Sequence, residues 1–165
     1  MMIHNNPAPD FYHIDSFVQA ATQVIEMMSG ETNIGKQAPF FNHEPLTDYE
    51  VLIFISVTGD IMGDVFAGMK EETAFALAGV LLQSEVNALD FMARSAISEF
   101  INVIIGNATM LLAEAGYNCL ISPPSILTLS GKVPIELMGI ETTLAVPIES
   151  KFGNVDINIS LQKKQ

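Results

Sequence analysis

The 165-residue chain carries 19 acidic and 7 basic residues, a net charge of −12 and a pI near 4.4, so it lacks the positive surface that nucleic acid or an anionic membrane requires. Hydrophobic residues make up 49% of the chain and mean hydropathy is +0.36, which excludes disorder and allows one domain to bury its own core. Cys119, the single cysteine, lies among Tyr117, Leu120 and Ile121; with no second thiol it reads as a buried, reduced side chain in a reducing compartment.

The first ten residues hold Asn and Pro and read as a loose lead-in. From 12 to 28, apolar residues including Phe17, Ala21, Val24 and Ile25 recur at helical spacing, and Gly30 ends the run. An aromatic piece around Phe40 and Phe41 lies between Pro39 and Pro45. The stretches 51–58 and 61–69 are rich in strand formers and meet at Gly59-Asp60, a hairpin signal. A helix is predicted over 71–82, with Glu71 and Glu72 at its positive end. A long helix is predicted over 85–114, stopped by Gly116. Strands are then predicted at 118–122, 126–129, 135–148 and 154–161. The last alternates Val155, Ile157, Ile159 and Leu161 with Asp156, Asn158 and Ser160, predicting a sheet with one face covered and one wet. Together these predict an α+β fold, a mostly antiparallel sheet with long helices packed on one face. No linker divides the chain, so 1–165 reads as a single domain.

The N-terminal residues lack the basic and apolar regions of a signal peptide. Lys70, Asp90, Arg94 and Glu99 interrupt the apolar runs, predicting no membrane insertion and a cytoplasmic protein.

Chemistry concentrates on the long helix. Ser95, Glu99 and Asn102 follow one another at spacings of four and three, which places them on one face. Phe91, Ile97, Phe100, Ile101, Val103, Ile104 and Ile105 around them call for burial. Gly106 continues the stripe; its missing side chain suits either close approach of a partner or tight packing inside the domain. Pro123-Pro124 follows, a pair that shapes a loop or a sheet edge.

The Ser-x3-Glu-x2-Asn pattern, Gly106 and the two prolines, set in this order of elements, resemble the CheC, CheX and FliY family of phosphatases of the response regulator CheY. A single intact copy of the pattern resembles CheX most. The resemblance implies a CheC-like fold with pseudo-twofold internal symmetry, a homodimer joined through sheet strands, and catalytic Glu99 and Asn102. Ser95, Gly106, Pro123 and Pro124 take supporting roles in that reading. The partner it implies is a phosphorylated CheY-like receiver domain that brings its own Mg²⁺ and lysine, so this chain needs no cofactor. Asn102 could accept a hydrogen bond from the attacking water while staying neutral beside an anionic phosphoryl group. Glu99 would pair with the partner's lysine. The competing reading is a non-catalytic module that docks a receiver domain or serves a flagellar switch.

Asp15, Gln19 and Thr22 repeat the four-and-three spacing on the first helix, as the relic of a second site or as an ordinary polar face. Residues 30–37 approach a phosphate-binding loop, but Gln37 stands where a Ser or Thr is needed. His4, His13 and His43 lack metal-ligand spacing, so no intrinsic metal is expected.

Overall fold

The computed structural model describes residues 14–29, 35–36, 39–43, 49–129 and 143–164. Helix α1 (Ile14–Ser29) leads to short strands β1 (Gly35–Lys36) and β2 (Phe40–Asn42), then to the hairpin of β3 (Val51–Gly59) and β4 (Ile61–Met69). Helices α2 (Glu71–Leu82) and α3 (Phe91–Glu114) follow. Short strands β5 (Cys119–Ile121) and β6 (Ser125–Thr128) precede a second hairpin, β7 (Thr143–Ser150) and β8 (Gly153–Lys163).

The described strands form one sheet in the order β1-β7-β8-β4-β3-β5, with β2 also on β7 and β6 also on β3. Each described strand pairs antiparallel to its neighbour, as the order of elements predicted. The order is palindromic. A helix, two short strands and a hairpin occur twice, and the halves meet where β4 pairs with β8 from Ile61↔Lys163 to Met69↔Val155.

The same irregularity marks both halves. Between the pairs Ile121↔Val57 and Ser125↔Phe54, one strand advances four residues and β3 only three, so Pro123 and Pro124 occupy a bulge on that edge. Ser122 stitches it to β3, its N–H donating to the Ser56 carbonyl at 2.9 Å and its Oγ accepting from the Ser56 N–H at 2.9 Å. Between Lys36↔Ile148 and Phe40↔Ala145 the register steps in the same way across a stretch that contains Pro39.

All three helices cover one face. Val51, Ile53, Ile55 and Val57 of β3 and Val155, Ile157 and Ile159 of β8 face them and join a single core with Phe17, Ile97, Ile101 and Ile104. Two helix starts have different caps. Asp90 accepts from the Ala93 N–H at 2.9 Å and opens α3, whereas the Glu50 carboxylate, from the entrance to β3, accepts from the Glu71 N–H at 2.8 Å.

Two expectations are corrected. The long helix begins at Phe91 and not at 85, because Gln83 adopts a left-handed conformation (φ 52°) after α2 and a connector runs to Asp90. Val86 and Leu89 mimic helical phase because they pack on the core from that connector. The second sheet face is also drier than expected: Asn158, Thr143, Leu52 and Phe66 are buried there, and Asp156 and Ser160 are half-buried. Tyr49 lies over Gly68, with Leu52 and Phe66 beside it and Phe54, Leu127 and Leu129 packed against them. Its hydroxyl donates to Asp156 Oδ2 at 2.8 Å and accepts from Asn158 Nδ2 at 3.1 Å, while the Thr143 hydroxyl donates to Asn158 Oδ1 at 2.7 Å. Polar residues on that face thus bond to one another.

Burial pushes the Tyr49 phenol well above its ordinary 10.0, with the Asp156 carboxylate adding to the shift. A neutral acid whose folded pKa is raised keeps its proton longer when folded than when unfolded, so stability is unaffected below that ordinary value and falls as pH rises past it. Equilibrium unfolding between about pH 9 and pH 11 is expected to show this loss, and Tyr49→Phe to lack that component of the slope.

Candidate functional site

Helix α3 has 24 residues and is long and apolar enough to cross a membrane by length and composition. The expectation that every apolar run is cut short therefore does not hold for this helix. Its apolar face is instead spent within the domain: Ala93, Ile97, Phe100, Ile101, Ile104, Ile105, Ala108 and Leu112 are buried in the core. Arg94 Nη2 donates to the Ile126 carbonyl at 3.2 Å, tying the start of the helix to β6.

The remaining arc faces outward. Ser95 and Glu99 are exposed, and Asn102 and Gly106 are half-buried. Among the described residues, no hydrogen bond or ion pair engages the side chains of Ser95, Glu99 or Asn102. Ser95 thus neither orients Glu99 nor bonds to its own helix. A carboxylate, a primary amide and a hydroxyl stand in register on a rigid rod with their hydrogen-bonding capacity unused.

Gly106 lies in the middle of this arc. A methyl group built there would meet no atom within 4 Å outside the local helix backbone. Packing inside the described domain therefore does not explain the glycine. Its carbonyl accepts from the Thr109 hydroxyl at 2.7 Å, a bond that any residue at 106 could make. Pro123 and Pro124 lie between β5 and β6 on the sheet edge, and both of those strands contact α3.

The outward arc is also more apolar than the sequence suggested. Phe91 is 81% exposed, Val103 41% and Met110 66%, where helical phase had suggested burial for the first two. Next to Glu99 an open groove of about 440 Å³ runs between the helices, lined by Val24 and Met27 of α1, Leu81 of α2, and Phe100 and Val103 of α3. Val103, four residues beyond Glu99, was the available sequence signal for this exposed surface.

The echo on α1 has a different environment. Asp15 and Gln19 are exposed, but Thr22 is buried and its hydroxyl donates to the Val18 carbonyl at 2.7 Å. The third position of that pattern is turned to its own helix. Gly35 and Lys36 of the phosphate-loop look-alike pair as a strand with Glu149 and Ile148 and so do not open a helix. Among the described residues, no group of three or more His, Cys, Asp and Glu side chains converges. His4 and His13 lie outside the described residues.

Comparison with known proteins identifies the surrounding fold. The family described as chemotaxis phosphatase CheX matches residues 51–149, which hold both hairpin strands β3 and β4, all of α3, and β7 nearly to its end. The chain belongs to the CheX family. A curated CheX relative, the CheY-P phosphatase CheX of Thermotoga maritima, is 30% identical over 117 residues, covering 70% of this chain and 73% of that protein. The crystal structure of a chemotaxis protein CheX from Desulfovibrio desulfuricans superposes with a TM-score of 0.76 at 21% identity, covering 91% of this chain and 99% of that one. CheX in the CheX–CheY–BeF3–Mg²⁺ complex from Borrelia burgdorferi superposes with a TM-score of 0.72 at 23% identity, covering 93% and 100%. These two structures share the CheX fold, antiparallel sheet and helices included, with this chain.

Proposed function

We propose that this chain is a phosphatase of a phosphorylated CheY-type response regulator, acting through the outward arc of α3. The observation that carries the reading is the unengaged set Ser95, Glu99 and Asn102 on the long helix of a CheX-family domain. The curated relative is a CheY-P phosphatase, and one CheX relative has been solved with CheY.

An aspartyl phosphate has a good leaving group, and the receiver's own Mg²⁺ neutralises phosphoryl charge, so the missing component is a positioned water. Asn102 supplies it. Its amide oxygen accepts a hydrogen bond from the water and, being neutral, adds no repulsion beside the phosphoryl oxygens. The water oxygen attacks phosphorus, the bond from phosphorus to the aspartyl oxygen breaks, and its electrons leave on the receiver's carboxylate. One water proton stays on the released hydrogen phosphate and the other goes to solvent.

Glu99, one turn earlier and without a counter-ion among the described residues, pairs with the receiver's lysine and sets the register of the helix in the partner's site. Ser95 contributes a hydroxyl to the same contact. This substrate assigns the reaction to the cytoplasm.

The test is to phosphorylate a CheY-type receiver with acetyl phosphate and follow release of inorganic phosphate with and without this chain. Glu99→Ala is expected to raise KM about tenfold or more and leave the rate at saturation close to wild type, with a weaker salt dependence. Association without accelerated release would favour the non-catalytic docking module.

A further inference from the structure

We infer that Gly106 is the point where the main chain of the phosphorylated receiver closes against α3. The inference rests on the function proposed above and specifies the contact surface of that same site. Glycine inside a helix is a cost: it loses more conformational freedom on folding than alanine and buries nothing. Such a residue is ordinarily accounted for by a left-handed backbone or by close packing. Neither applies here. Gly106 is not among the described glycines with positive φ, and among the described residues a methyl group in its place would meet no atom within 4 Å beyond its chain neighbours and the local helix backbone.

Its position shows what the space is for. It lies one turn beyond Asn102, about 6 Å along the helix axis, and continues the line of Ser95 and Glu99. Val103 and Met110, both exposed, border it. The surface is thus a shallow notch between two apolar side chains, continuous with the polar groups that engage the phosphorylation site. A side chain at 106 would hold a docked backbone several ångströms off the helix, and Asn102 would then stand too far from the phosphoryl group to position water.

The stability and function of this position are predicted to oppose each other. Gly106→Ala should raise the unfolding midpoint by about 2–4 °C, because helix propensity improves and nothing clashes. Gly106→Leu, whose Cβ enters the same open space beside the exposed Val103 and Met110, should fold with a midpoint at or above wild type. Its affinity for the receiver phosphorylated with acetyl phosphate should fall at least tenfold, with KM rising in step. Affinities are measured in an Asn102→Ala background, where slow turnover preserves the phosphorylated complex, and KM is measured in the otherwise wild-type chain.

If the Asn102→Ala chain binds the phosphorylated receiver and adding Gly106→Leu leaves that affinity unchanged, the inference is overturned and the proposed function stands. A lowered unfolding midpoint in both Gly106 variants would also overturn it, by showing that the space is needed inside the domain. If neither wild type nor Asn102→Ala binds or dephosphorylates any CheY-type receiver, the functional reading fails and takes the inference with it.

Discussion

Replacing Asn102 by alanine is expected to reduce the rate of phosphate release at saturating receiver by about 10²-fold or more, with little change in KM. Asn102 is half-buried on the outward arc and no hydrogen bond among the described residues engages its side chain, so its removal breaks no described hydrogen bond and is expected to leave the fold intact. Companion substitutions separate positioning from bulk. Asn102→Gln keeps the amide but moves it by one methylene, which displaces the water and should recover little activity. Asn102→Asp keeps the size but adds a negative charge facing the phosphoryl oxygens, and should be at least as impaired as alanine. Activity in Asn102→Asp equal to wild type would show that a carboxylate can serve here, contrary to the neutral-acceptor mechanism. Stopped-flow measurement of phosphate release over a range of receiver concentrations gives both parameters.

Asn158→Ala is expected to lower the free energy of unfolding by about 3 kcal/mol. Asn158 is 0% exposed on the sheet face opposite the helices, where its amide oxygen accepts from the Thr143 hydroxyl and its amide nitrogen donates to the Tyr49 hydroxyl. Removing it leaves the Thr143 hydroxyl without its acceptor in a dry environment and leaves a void beside the Tyr49 ring. The loss comes chiefly from stranded groups, so the double variant Asn158→Leu with Thr143→Val should recover part of it. Denaturant titration of Asn158→Leu, Thr143→Val and the double variant beside wild type gives the coupling. Phosphatase activity measured well below the unfolding transition should be unchanged, because this network and α3 lie on opposite faces of the sheet.

Elements held by local forces were legible in the sequence. The β3–β4 hairpin follows from strand formers around Gly59-Asp60, and α2 coincides with its predicted span. The polar stripe was visible because helical spacing alone places Ser95, Glu99 and Asn102 together. Features set by distant partners were not. Asn158 alternates as though it faced water, but Tyr49, more than a hundred residues away in sequence, adds to its cover and bonds its amide, so the residue is buried. Val86 and Leu89 keep helical phase while lying outside any helix. The two readings of Gly106 could not be separated without knowing what surrounds it, since the empty space beside it depends on every neighbouring element.

The one-residue register step at both ends of the sheet limits how this domain can join others. Unpaired strand edges invite further strands, and long straight edges are liable to open-ended aggregation. Here each end is broken into two short pieces out of phase with one another, with Pro39 in one break and Pro123-Pro124 in the other. An incoming strand that follows one piece in register therefore falls out of step at the next. A homodimer built by joining sheets would have to pair along a short run or carry a matching irregularity of its own. The interruption thus acts as a stop against indiscriminate polymerisation.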